Sequence, residues 1–433
     1  MTSHLSTVTT THVPPVRARW RLGLCVLALT GAAAVRADDS AAPLAYPKSV
    51  ADAVRMEKAV ALPRSDLYET PSLAGTQPGD LLKSEPSSAY ALPAGAHAVR
   101  ILYHSKDAEG RSVGTSGVVL IPAGSPPAGG WPVIAWAHGT SGVARQCAPS
   151  LMKDMEYGEE GLMPMVRAGF AVIATDYHGL GTSGAHQYVN RLAQAHDVIF
   201  SVPAAHKAVA NLAARWTVIG HSQGGLAAWG VAEQQVALKD PNYLGAISVA
   251  GTADIGDLLG LMGGSANEAT FYLTYMAFGV KARTPSFDVS QMLAGQALAR
   301  YPDVTSKGCW NYAFAKFMHD KGGKSLQTDW RRSAAVQTWV SENVVGSKPI
   351  SGPFFVIGGE GDNTVPYDSL KKIATQACRA GTKLNFRSYP GLDHDPTMAE
   401  SSPVQLQWVR DRIAGKPAGD DCPSLIAADS PAK

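Results

Sequence analysis

Charge is scarce in this chain: Asp, Glu, Lys and Arg make up 17% of its 433 residues, and the basic ones never gather into a run. A near-neutral surface of that kind offers no electrostatic footprint for nucleic acid, so that class of partner is excluded. Metal-ligand spacing is missing as well. His186, His196 and His206 recur every ten residues without an H-x-x-x-H pair or a cysteine companion, and no metal centre is expected. Cysteine is sparse, five in all. None stands in a tight turn between a strand and a helix, which leaves a thiol nucleophile without support. The apolar stretch Leu22 to Val35 is too short and too poorly flanked to hold the chain permanently in a membrane.

That same stretch follows Arg17, Arg19 and Arg21 and ends at Val35-Arg36-Ala37 before Asp38-Asp39. This is the layout of a secretory signal peptide over residues 1–37, cleaved after Ala37, and a secreted or periplasmic protein is expected. Cleavage takes four of the 38 basic residues and none of the 36 acidic ones, so the mature chain is near −2. It also removes Cys25. The four that remain, Cys147, Cys309, Cys378 and Cys422, are an even number in an exported chain, which favours disulfides in one of three pairings. With 45% hydrophobic residues the chain can bury one large core and carry an insertion.

The most informative stretch is Gly220-His221-Ser222-Gln223-Gly224, because Trp216-Thr217-Val218-Ile219 precedes it and Leu226-Ala227-Ala228-Trp229 follows. That reads as strand, sharp turn, helix, the context of a nucleophile elbow with Ser222 at its tip. In a glycine-rich chain of this length one chance G-x-S-x-G arises in roughly every two or three sequences, so the partners decide. Two later segments supply them in the order serine, acid, histidine that an α/β-hydrolase uses. Pro353 to Ile357 is a buried-strand pattern ending in Gly358-Gly359-Glu360-Gly361-Asp362, and Leu384 to Tyr389 is a last strand followed by Pro390-Gly391-Leu392-Asp393-His394. Asp362 is read as the triad acid and His394 as the general base. Asp393 and Asp395 are read as turn or capping residues, and His221 as a packed or surface histidine. The oxyanion donors are expected to be the backbone amides of Gln223 and Thr140, with Gly139 or Ser141 as alternatives to the latter.

Strands are expected at 99–104, 113–121, 133–137, 171–176, 217–220, 246–250, 354–358 and 384–389, with helices between the later ones. The fold class is α/β, the α/β-hydrolase fold, with a mostly parallel central sheet, helices on both faces and an inserted helical cap. Residues 38–77 read as an extended lead-in of loops, 78–251 and 350–415 as the catalytic domain, 252–349 as the cap and 416–433 as a C-terminal tail. In the cap, Phe271, Tyr275 and Phe278 share one helical face and Tyr272 and Met276 the next. The first three are the candidate lining of an acyl-chain channel, since alkyl binding needs little beyond apolar area. Gly263-Gly264 is a hinge or a turn.

Pro78-Gly79-Asp80-Leu81-Leu82, Arg100-Ile101-Leu102-Tyr103, Ala137-His138-Gly139-Thr140, Cys147-Ala148-Pro149-Ser150 and Asp176-Tyr177-His178-Gly179-Leu180-Gly181-Thr182 together resemble the secretory lipase family of α/β-hydrolases, the group that includes fungal lipase A. The resemblance runs from about Pro78 to Cys422. It implies an esterase or lipase with a helical cap between nucleophile and acid, catalytic positions matching Ser222, Asp362 and His394, and disulfides Cys147–Cys309 and Cys378–Cys422. The chain departs from fungal lipase A in the oxyanion loop, where that enzyme resembles one using an acidic side chain and this chain has His138-Gly139-Thr140. The expected reaction is hydrolysis of apolar carboxylic esters through an acyl-enzyme, without a cofactor. Its partner is a small ester or lipid, met at a lipid–water interface. Short-ester and polyester hydrolysis use the same machinery. A serine peptidase or amidase would need an anchor for a peptide terminus, for which scattered cap acids such as Glu268 are the sole candidates, and a silent binding protein would not need the triad.

Overall fold

Runs rich in β-branched and aromatic residues, broken by Gly- and Pro-containing turns, form nine strands in the described part of the chain. The structure is a computed structural model that describes residues 46–251, 254–264, 268–320 and 324–429; the expected signal peptide lies outside them. The strands are β1 Leu81–Ser87, β2 His97–Lys106, β3 Ser112–Ile121, β4 Trp131–Ala137, β5 Ala171–Thr175, β6 Leu212–His221, β7 Tyr243–Val249, β8 Phe354–Gly359 and β9 Asn385–Tyr389. They lie in the order β1-β2-β3-β5-β4-β6-β7-β8-β9. Pairing is antiparallel from β1 through β3 to β5 and parallel from there to β9.

Strand alternation builds two cores, one on each face of this sheet. In β4, Val133, Ala135 and Ala137 join Val198, Val202, Leu226 and Val231 from helices Arg191–Ala208 and Gln223–Leu238. Ile134 and Trp136 point the other way, onto Met163 and Met165 and onto Met398, Leu406 and Val409 of helix His394–Ile413. Helix Arg191–Ala208 runs through Pro203 without a break. Between β7 and β8 come helices Ile255–Gly264, Phe271–Arg283, Gly295–Val304, Trp310–Phe317 and Ala334–Glu342. Gly263 and Gly264 end the first of these. No helix among the described residues is long and apolar enough to cross a membrane.

Three local expectations need correction. The lead-in is not loop throughout: Val50–Val60 is a helix, N-capped by the Ser49 side chain, which accepts from the amide of Asp52. Pro47 and Pro63 gave the segment a loop-like composition, yet Val50, Val54 and Glu57 keep helical spacing. Glu57 ties this helix to the insertion, since its carboxylate accepts from the amides of Cys309 at 3.1 Å and Tyr312 at 2.7 Å. Strand β1 lacks an apolar strand pattern because it is polar and contains Pro86, both compatible with an edge position next to β2 alone. The C-terminal tail contains helix Cys422–Ala428. The cysteines pair as Cys147–Cys309 and Cys378–Cys422, joining the segment after β4 to the insertion and the tail to helix Tyr367–Arg379.

Candidate active site

The carboxyl ends of β4, β6, β8 and β9 converge on one edge of the sheet, where ligands of open α/β sheets bind. Ser222 follows β6 directly and has φ 57° and ψ −119°, a conformation that costs about 1–3 kcal/mol for a residue with a Cβ. Its amide donates to Val249 O at 3.0 Å, and its carbonyl accepts from Gly225 at 2.9 Å. The turn is crowded: a Cβ on Gly224 would lie 1.9 Å from the carbonyl oxygen of Ala137. Gln223 opens helix Gln223–Leu238, so its amide is among those without an intrahelical acceptor.

Asp362 sits three residues past the end of β8, and its Oδ1 accepts from the amides of Thr364 and Val365. Those bonds leave Oδ2 aimed at His394, whose Nδ1 donates to it at 2.7 Å. His394 opens helix His394–Ile413 behind the N-cap Asp393, whose carboxylate accepts from the His394 and Asn363 amides. Asp393 is thus a capping residue. Ser222, Asp362 and His394 are 7%, 7% and 6% exposed, and Nε2 of His394 has no hydrogen-bond partner among the described residues. Burial disfavours the charged ring, but the Asp362 carboxylate outweighs it, with Asp395 and Asp393 adding to the pull, and the imidazole pKa rises above its usual 6.5.

The loop after β4 is held by tyrosines that the sequence did not single out. Tyr177, at φ 64°, donates to His138 O at 3.0 Å, and Thr140 Oγ1 bonds Tyr188 Oη at 2.7 Å. Ser141 Oγ donates to Cys147 O at 2.7 Å, and Ser141 O accepts from the Trp310 amide at 2.9 Å. Thr140, rather than Ser141, borders a cavity of about 660 Å³. Asp395 borders the same cavity, so it is a wall residue, not only part of the turn. Its other walls come from the N-terminal helix, from a π-helical turn at Gly158–Leu162 and from the insertion. Val54, Val60, Leu62, Leu151 and Met152 supply an aliphatic side, and Tyr157, Tyr272 and Trp310 an aromatic one. Glu57, Glu156, Glu160 and Asp395 also face it, each with its carboxyl pKa raised chiefly by burial.

Phe271, Tyr275 and Phe278 do not border this cavity. Phe271 and Tyr275 are buried at 1% and 0% exposure. Tyr275 packs edge-on against Tyr188 and donates to Cys309 O at 3.2 Å, and Phe278 packs against the main core. Their helix is apolar on nearly every side, so hydrophobicity alone did not show which face turns inward. The face that reaches the cavity carries Tyr272, whose Oη accepts from Trp310 Nε1 at 2.9 Å. The aromatic signal was present; its direction was not.

Metal-ligating side chains cluster at one place among the described residues, His221, His394 and Asp395, with donor atoms within 4.8 Å of one another. His394 already spends Nδ1 on Asp362.

A family model described as secretory lipase matches residues 154–421. Two secreted triacylglycerol lipases of Malassezia globosa align with the chain, one 30% identical over 121 residues and the other 27% over 120. Each alignment covers 27% of this chain and 26% of the relative, so the chain matches about a quarter of the length of these curated relatives. Candida antarctica lipase A in its closed state shares the fold with a TM-score of 0.69 and 18% identity, over 83% of this chain and 88% of that one. The rice cell wall degrading esterase LipA of Xanthomonas oryzae does so with a TM-score of 0.64 and 19% identity, over 78% and 98%. At those identities the likeness is one of fold, the α/β-hydrolase fold. The family model spans well over half of the sequence, and the chain belongs to the secretory lipase family.

Proposed function

We propose that this protein hydrolyses carboxylic esters with apolar acyl groups, using Ser222 as nucleophile, His394 as general base and acid, and Asp362 as the carboxylate that orients and stabilises the imidazolium. The observation that carries the reading is a buried histidine held 2.7 Å from an aspartate, in a chain whose serine stands at φ 57° on a strand-to-helix turn. His394 Nε2, which has no hydrogen-bond partner among the described residues, takes the Ser222 proton as Oγ attacks the ester carbonyl. It then delivers that proton to the departing alcohol and activates the water that releases the acid. The amides of Gln223 and Thr140 receive the oxyanion. Export through the leader at 1–37 belongs to the same reading, as does a cap role for residues 252–349, whose Tyr272 and Trp310 face the cavity.

The acyl chain lies along the aliphatic wall formed by Val54, Val60, Leu62, Leu151 and Met152. Each methylene buried there contributes about 0.8 kcal/mol, or roughly fourfold in kcat/KM. The experiment is kcat/KM on p-nitrophenyl esters from acetate to palmitate, with Ser222→Ala as blank and a fluorophosphonate probe to label Ser222. Efficiency climbing to octanoate and beyond is expected. A peak at acetate or butyrate would restrict the site to short esters, and turnover by Ser222→Ala would remove the assignment of the nucleophile.

A further inference from the structure

His221 stands inside the elbow, and the reaction as described does not use it. It is fully buried at the end of β6, with its ring 4.8 Å from the ring of His394. Nε2 lies 3.4 Å from the backbone carbonyl oxygen of His394 and 3.9 Å from Asp395 Oδ1. A carbonyl oxygen can only accept, so Nε2 carries the proton and Nδ1 is bare. Nδ1 has no partner among the described residues. It faces Gly139, where a Cβ would come 3.2 Å from it and 2.2 Å from Tyr157 Oη, and the Tyr157 ring stands edge-on to His221 at 5.3 Å.

We propose that His221 is a positioning residue for His394: a neutral imidazole wedged between the oxyanion loop and the first turn of helix His394–Ile413, whose Nε2–H anchors the His394 carbonyl and so fixes where the catalytic ring stands. The helix begins at His394 itself, so the general base sits on the terminal turn, where backbone order is weakest. Asp393 secures that turn through the His394 amide and His221 through its carbonyl. Neutrality matters to the role. When His394 becomes an imidazolium, a second cation one ring away would oppose it, whereas burial and the charge of His394 both push the His221 pKa well below 6.5. The titratable groups facing this pair are Asp362 from the turn after β8, Asp393 and Asp395 from the turn around His394, and Tyr157 across His221.

The inference rests on His394 being the general base, and the test separates the two. His221→Leu removes the donor, and His221→Gln returns an amide N–H near the Nε2 position. With p-nitrophenyl octanoate, His221→Leu should lose about a hundredfold in kcat, the penalty of a misplaced catalytic group, with KM within about twofold. The acid limb of its pH–rate profile should move to lower pH as His394 slips from Asp362, and His221→Gln should recover most of kcat and return the limb. Proton NMR of the wild type and both variants reads the downfield His394 Nδ1–H signal, which should weaken or shift in the leucine variant alone. Wild-type kcat and pH profile in a folded His221→Leu, or a glutamine variant as impaired as the leucine one, would overturn the positioning role. Should His221→Leu not fold, a His221→Gln variant with a shifted Nδ1–H signal and low kcat would overturn it equally. Activity surviving in Ser222→Ala or His394→Ala would instead strike the triad assignment.

Discussion

At Ser222 the backbone holds a conformation that isolated residues avoid, and the neighbours that enforce it have no slack. Gly224→Ala would drive a methyl to 1.9 Å from the Ala137 carbonyl. We expect Gly224→Ala to lose at least about 1–3 kcal/mol of stability through overpacking and about a hundredfold in kcat through displacement of Ser222, measured by thermal melting and by ester turnover. His394 makes a pH prediction. Its pKa is raised by Asp362 against the opposing effect of burial, and a general base works only when unprotonated. The acid limb of kcat/KM should therefore lie above pH 6.5, and Asp362→Asn should move it downward while lowering kcat by about 10⁴-fold. Candidates for a triad, and their order, were legible in the sequence because chemistry restricts them to few side chains. Tyr157, Tyr177 and Tyr188 were not, because a tyrosine that supports a loop is indistinguishable in sequence from one that fills a core.

Among elements, the N-terminal helix and the two disulfides hold the insertion and the tail. Glu57 accepts from amides that open helix Trp310–Phe317, donors with no partner inside that helix. Glu57→Ala should cost about 1–3 kcal/mol, the penalty for orphaning buried donors, read as a lower Tm; an unchanged Tm would show that solvent replaces the carboxylate. The disulfides close spans of 162 and 44 residues. On chain entropy alone, removing Cys147–Cys309 should destabilise by about 1 kcal/mol more than removing Cys378–Cys422, and calorimetry of the two double Cys→Ser variants decides it. The central strands could be read from their apolar runs, since a parallel sheet covered on both faces needs them. Strand β1 and helix Val50–Val60 could not, because one is a polar edge and the other lies between prolines.

On the scale of the whole molecule, buried histidines make stability depend on pH. His186 is 1% exposed, its Nδ1 donates to His178 O, and its Nε2 has no partner among the described residues; burial lowers its pKa to about 3. The unfolded chain binds a proton near pH 6.5 that the folded one refuses until about pH 3, so this residue's contribution to stability falls as pH drops from 6.5 towards 3. His221 acts in the same direction. Asp176, raised to about 6 chiefly by burial, acts oppositely between pH 6 and its unfolded value. Tm should fall less steeply between pH 6.5 and 4 in His186→Asn than in the wild type, and parallel curves would assign the acid sensitivity elsewhere. What the sequence by itself determined is local: an elbow needs glycines around a serine, a parallel sheet needs apolar strands, and a triad needs an acid and a histidine at strand ends. Tertiary structure alone decided which face of helix Phe271–Arg283 turns inward, that Tyr272 and not Phe271 borders the cavity, that Glu57 reaches the insertion, and that the His221 ring lies 4.8 Å from that of His394. Each of these depends on contacts between residues far apart in the chain, and a periodicity of 3.6 or 2 says which residues share a face but not what that face meets.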